Sequence, residues 1–150
     1  MELHGHELVS TAAEIARHAH HGQVDKLGVA YIEHPRRVAE RFDAELQPLE
    51  CATAWLHDVL EDTDVSASEL LDVGIPAEVV TAVELLSKNP AEPTLDDYYA
   101  RIRLNPIALA VKTADIADNT DPARTAALEP ETRERLATKY AKARALLGIS

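Results

Sequence analysis

The chain has 150 residues, of which 46% are apolar and 27% charged, with only five glycines and eight prolines. These proportions exclude a disordered or collagen-like chain and suit one domain-sized core over residues 1–150. Fifteen Lys and Arg against 26 Asp and Glu leave a formal net charge of −11, which argues against wrapping nucleic acid or lying on an anionic membrane.

In chain order the residues read as helices. Ala and Leu dominate the apolar set, and no Asn-Gly or Asp-Gly hairpin signal occurs. A first helix is expected from about Glu7 to His21, with Leu8, Ala12, Ile15, Ala16 and Ala19 on one face and Gly22 as its stop. After a loop from Gln23 to Glu33, Pro35 suits the first position of a second helix carrying Val38, Ala39 and Phe42. Pro48 opens a third, whose stripe is Ala52, Trp55, Leu56, Val59 and Leu60. Ser66-Ala67-Ser68-Glu69 is a capping box for a short helix ending near Gly74. Pro76 opens the next, through Leu86, and Asn89-Pro90-Ala91-Glu92-Pro93 is a break. Thr94 caps a helix through Tyr98, Ile102 and Leu104. Asn105-Pro106 starts another, and Pro130 the last, which ends at Gly148. The expected architecture is a compact all-α fold of about eight helices. His4 and His6 fall in an expected mobile terminus. No apolar run approaches the roughly 18–20 residues that span a bilayer. The start, Met1-Glu2-Leu3-His4, has no secretory pattern, and the one cysteine, Cys51, has no internal partner. A cytoplasmic location is expected.

The third helix is expected to continue through His57-Asp58-Val59-Leu60-Glu61-Asp62. Spacings of three and four would line His57, Asp58, Glu61 and Asp62 along one side. Three carboxylates so close repel one another, and a cation relieves that repulsion. Imidazole with carboxylate suits Mn, Fe or Zn better than Ca. Further candidate ligands are His34, before Pro35, and Asp115. The latter shares a helix face with Lys112 and Asn119. His34, His57, Asp58 and Asp115 would form a two-His, two-Asp site from three helices. Taken singly, a His-Asp pair is more often solvated, and a Lys-x-x-Asp on a helix is more often a surface ion pair. Ser87-Lys88 precedes a break and could reach a phosphate, though such a pair is more often a solvated helix end. No Gly-rich phosphate loop is present, so P-loop chemistry is not supported.

The joint pattern resembles a family. His34-Pro35, then His57-Asp58-Val59-Leu60-Glu61-Asp62-Thr63, then Lys112-Thr113-Ala114-Asp115 with Asn119, is similar to the HD-domain phosphohydrolases. More narrowly, it resembles the hydrolase domain of the RelA/SpoT homologues in its stand-alone form, the small alarmone hydrolases. His20, Gly22-Gln23, Tyr31-Ile32 and Tyr140-Ala141 extend the likeness over nearly the whole chain. The resemblance implies a helical fold, one Mn2+, and removal of the 3′-pyrophosphate from guanosine tetra- or pentaphosphate, a small-molecule nucleotide partner. It implies that His34, His57, Asp58 and Asp115 are metal ligands and that Glu61 and Asp62 orient and activate the attacking water. It also implies that Lys26, Asn119 and Tyr140 contact substrate. A divalent cation would acidify water and neutralise phosphoryl charge, and either adjacent carboxylate can take the proton.

The pattern departs from the family in one loop. Two and three residues after the glutamine the family carries Arg-Lys, whereas this chain has Asp25-Lys26. A guanidinium plane stacks on a nucleobase and a carboxylate does not. An adenine or smaller nucleotide therefore stands beside guanine as a substrate. A catalytically silent nucleotide-binding HD module and a structural metal domain are the other readings.

Overall fold

The computed structural model describes residues 1–88 and 94–149. The break expected at Asn89-Pro90-Ala91-Glu92-Pro93 lies outside the described residues. Among those described, eight helices of six residues or more and two single turns follow one another. They are α1 (Gly5–Ala19), α2 (Glu33–Glu40), α3 (Pro48–Leu56), α4 (Val59–Asp62) and α5 (Ala67–Asp72). Then come α6 (Ala77–Leu86), α7 (Leu95–Arg103), α8 (Pro106–Asn119), α9 (Pro122–Thr125) and α10 (Pro130–Leu147). The sole β-type pairing among the described residues is an isolated bridge between Val24 and Ala30, inside the loop after α1. None of these helices is long and apolar enough to cross a membrane.

Local chemistry sets most helix ends. Ser66 accepts from the Glu69 N–H while Glu69 reaches back, completing the expected box. Thr94 accepts from the Asp97 N–H and Asn105 from the Ala108 N–H, each satisfying a donor that the helix leaves unpaired. Gly148 closes α10 in the left-handed region at φ 73°.

Four expectations are corrected. Helix α1 ends at Ala19 instead of His21, because His20 turns into the core and bonds Gln23. Helix α2 begins two residues before Pro35, in its own first turn. Leu104 follows α7 as its cap and is 85% exposed, so it is not part of the apolar face. The N-terminus is tied down: the Leu3 N–H donates to the Gly74 carbonyl at 2.8 Å. Gly74, at φ +100°, lets that strand of chain approach, since a Cβ there would stand 2.5 Å from the Met1 carbonyl oxygen.

The central element is α3. Every residue from Cys51 to Leu56 is buried, and α1, α2, α6 and α8 pack around it. Small side chains at Cys51, Ala52 and Ala54 let those helices come close, while Leu56, with Val38, Val59 and Val83, is fully buried. Helix α10 packs on α7 and α8. The first turn of α2, the C-terminal end of α3 and the middle of α8 thereby converge.

Candidate metal centre

The expected continuous helix through residues 48–62 is interrupted at His57-Asp58, between α3 and α4. The cause is local. The His57 ring Nδ1–H donates to the Ala54 carbonyl at 2.6 Å, competing for an acceptor that the helix would use. Asp58 follows at φ −105° and ψ 0°, in the bridge region where many active-site residues sit. The expected single row of four ionisable groups is thus replaced by a corner that turns His57 and Asp58 inward.

His34, His57, Asp58 and Asp115 meet at this corner. Ligand-capable atoms of the first three all lie within 4.8 Å of one another. His34 Nε2 is 2.7 Å from Asp115 Oδ1. His57 Nε2 is 3.1 Å from Asp58 Oδ2 and 3.5 Å from Asp115 Oδ1. This buried atom nevertheless has no hydrogen-bond partner among the described residues. With Nδ1–H donated to Ala54, Nε2 is the ring atom that faces the two carboxylates, where it can carry a proton or bind a cation. That arrangement is unfavourable without a proton or a cation between them. The donor set of two imidazoles and two carboxylates fits a divalent metal.

The surroundings orient each donor. The His34 Nδ1–H donates to Asp118 Oδ2 at 2.6 Å, as metal-binding histidines do toward a carboxylate. Asp118 in turn accepts from Arg37 Nε at 2.9 Å and Arg124 Nη1 at 2.8 Å. The Tyr31 hydroxyl donates to Asp58 Oδ2. Lys112 Nζ lies 3.1 Å from Asp115 Oδ2, and Asn119 Nδ2 donates to Asp115 Oδ1 at 3.1 Å. The expected shared face of Lys112, Asp115 and Asn119 is therefore present.

The charges are strongly coupled. Burial disfavours the Asp115 carboxylate, but Lys112, His34 and His57 outweigh it and hold its pKa well below the ordinary value. Burial opposes charge on His57, and Asp58 and Asp115 overcome it, raising the imidazole well above its usual range. Burial likewise opposes charge on Asp118, yet His34 and Arg37 draw its carboxyl down to about 2. Asp62 is pushed up, first by burial and then by the carboxylates of Asp58 and Glu61.

A cavity of about 460 Å³ opens from this corner to solvent, within the range of small-molecule sites. His34, Asp58 and Asp115 line it, as do Glu61, Asp62, Lys26, Asn119 and Tyr140. His57, the remaining sequence-predicted site residue, sits behind this wall, 3% exposed. The Glu61 carboxylate is engaged by the Lys88 backbone N–H. Tyr140 is buried in the wall, with Lys139 Nζ 5.2 Å from its ring centre.

Several contributors were not among the sequence candidates. Lys88, exposed just past the end of α6, also lines the cavity. Asp118 carried one usable signal, its place one helical turn beyond Asp115, but its partners Arg37 and His34 lie more than eighty residues away. Tyr31 stood in the resembling Tyr31-Ile32 pair without a role attached to it, and Lys139 carried no signal in its local sequence.

No family model matches the chain. The chain is 31% identical over 150 aligned residues to the guanosine-3′,5′-bis(diphosphate) 3′-pyrophosphohydrolase of Vibrio cholerae, covering 90% of this chain and 21% of that protein. It is 33% identical over 131 residues to the protein of the same name from Haemophilus influenzae, covering 82% of this chain and 19% of that one. Over most of its length the chain is thus similar to one segment of these bacterial pyrophosphohydrolases. The chain spans about a fifth of the length of the curated relatives it matches. Its fold is shared with a solved metazoan orthologue of SpoT, at a TM-score of 0.72 and 20% identity over 97% of this chain and 88% of that one. The all-α expectation of about eight helices holds, with eight longer helices and two single turns among the described residues.

Proposed function

We propose that this chain is a divalent-metal-dependent hydrolase that removes the 3′-pyrophosphate from guanosine tetra- or pentaphosphate, giving GDP or GTP and pyrophosphate. The observation that carries this reading is the unpartnered His57 Nε2, facing Asp58 and Asp115 beside His34 at the foot of an open cavity. The names of the bacterial relatives supply the substrate class.

In this reading His34, His57, Asp58 and Asp115 hold one Mn2+. When bound, the cation supplies Lewis-acid activation of water and offsets charge gathering on the phosphoryl oxygens. Ala54 and Asp118 fix the two imidazoles by accepting from their Nδ1–H groups, which keeps both Nε2 atoms directed inward. Tyr31 occupies Asp58 Oδ2 and sets the rotation of that carboxylate. Glu61 holds the Lys88 backbone in place. Asp62 lines the cavity beside it, and its carboxylate has no hydrogen bond to any described residue. Asp62 is therefore the group that accepts the proton of the attacking water, its proton affinity raised by burial and by its acidic neighbours. Lys26, Asn119 and Tyr140 contact the nucleotide. Positioning and electrostatics are what such a site contributes to phosphoryl transfer. A nucleotide substrate and a lone buried cysteine, Cys51, suit a reducing cytoplasm.

The test is incubation of the Mn2+-loaded chain with guanosine tetraphosphate, with products resolved by chromatography. GDP and pyrophosphate in equal amounts, lost on chelation, are expected. No turnover refutes the substrate assignment. With Asp25 where the family carries an arginine, an adenine or smaller nucleotide is the second reading, which the same experiment run with adenosine nucleotides and nucleoside monophosphates decides.

A further inference from the structure

Five cationic side chains line the cavity, and their partners divide them into two kinds. Lys112 is paired with Asp115, and Arg124 is paired twice. Arg124 Nη1 donates to Asp118 Oδ2 at 2.8 Å, and its Nη2 lies 3.7 Å from Asp25 Oδ2. Lys26, Lys88 and Lys139 have no ion-pair partner among the described residues. Lys139 is further disfavoured as a cation by burial and by the other lysines of the cavity. A polyanion relieves the crowding of these three. Arg124 is different, because its charge is already taken by two carboxylates, while 26% of its side chain remains exposed.

The cavity that Arg124 lines also has an apolar part. Asp25 belongs to a tight loop in which its Oδ1 accepts from the Leu27 N–H at 2.8 Å and the Val29 N–H at 3.0 Å. On either side of it, Val24 and Leu27 line the cavity while 64% and 45% exposed. Leu128 lines the same cavity. Aliphatic side chains lining the same cavity as a charge-compensated guanidinium plane suit a flat aromatic ring, which stacks on such a plane, better than a phosphate.

We propose that Arg124 is the base-reading residue of this pocket, its guanidinium fixed by Asp118 and Asp25 so that one face stacks on the nucleobase while the unpaired lysines take the phosphates. This rests on the nucleotide reading above. The aspartate that stands where the family carries a stacking arginine then has a positive role, since it anchors the arginine that replaces it from α9.

The experiment is equilibrium binding to the full Mn2+-loaded chain, by calorimetry, of two probes: GDP, which has a base, and inorganic pyrophosphate, which has none. Arg124→Lys keeps a cation for Asp118 and removes the plane. GDP affinity is expected to fall about tenfold, with pyrophosphate within about twofold. Leu27→Ala, a change on an exposed loop that leaves folding intact, is expected to weaken GDP about threefold and to spare pyrophosphate. Equal losses for both probes would mean that Arg124 serves phosphate or merely supports His34 through Asp118, and would overturn the proposal, as would unchanged affinity for both. Binding of neither probe by the unsubstituted chain overturns the nucleotide reading itself.

Discussion

Replacing Asp118 with asparagine tests the link between the fold and the metal centre. The carboxylate is buried and joins three elements: it takes the Nδ1 proton of His34 on α2, a bond from Arg37 on the same helix, and one from Arg124 on α9. A carboxyl held at about 2 in place of the ordinary 3.8 contributes about 2 kcal/mol of stability near neutral pH. Because the folded-state value is depressed, this contribution is present above about pH 4. It is lost as pH falls through about 2. The cost of Asp118→Asn stays near that figure and below the 3–5 kcal/mol of a broken buried pair, because Arg37 and Arg124 are 30% and 26% exposed and can be solvated. The second effect is on the metal. An asparagine carbonyl can still accept from His34 Nδ1 but lacks charge, so ring orientation and basicity weaken. Mn2+ affinity is expected to fall about 10- to 100-fold. Urea unfolding of the metal-free chain at pH 7 and pH 3 reads the first effect, and Mn2+ titration reads the second. A variant with the parent's midpoint at pH 7 and the parent's metal affinity would refute the reasoning.

Four further outcomes are expected. Mn2+ at about 100 times its dissociation constant stabilises the chain by about 2.7 kcal/mol, measured as a shift in thermal unfolding that a chelator reverses; an unmoved transition contradicts a folded-state metal site. Asp62→Asn lowers turnover of guanosine tetraphosphate at least about 100-fold with Mn2+ affinity retained. Glu61→Gln loses less, because its amide oxygen still accepts from the Lys88 N–H. Equal effects of the two would argue against Asp62 as the proton acceptor. Ser66→Ala removes the capping box of α5 and costs about 1 kcal/mol in denaturant unfolding, with the metal titration unchanged. Asp25→Arg frees the Leu27 and Val29 amides, whose hydrogen exchange should speed up; unaltered protection would mean that Asp25 does not hold the loop.

What was legible in the sequence was local. Ser66 with Glu69, Thr94 and Asn105 each signal a helix start through a bond made within three residues, and all three are found where expected. Apolar spacing gave the buried faces of α1, α3 and α6. The break at His57-Asp58 was not legible, because propensity and spacing both favour continuing the helix. Only the bond from the His57 ring to Ala54 ends it. The convergence of His34, His57, Asp58 and Asp115 came from the combined motif, since no local rule brings together residues eighty-one positions apart. Asp118 went unassigned for the same reason, its partners His34 and Arg37 being set by how α2 lies on α8. The expectation for Asp25 was half complete: it named the missing arginine but not the loop bonds or Arg124, which need the fold to be seen.

The central claim is that two imidazoles and two carboxylates close on one divalent ion. Its most direct measurement is a Mn2+ titration of the whole chain followed by electron paramagnetic resonance of the free ion, run on the parent, His57→Ala and Asp115→Asn. The account predicts one tight ion per parent chain and loss of tight binding in both variants, each of which stays folded by circular dichroism. Tight binding that survives both substitutions, or none in the parent, would contradict it.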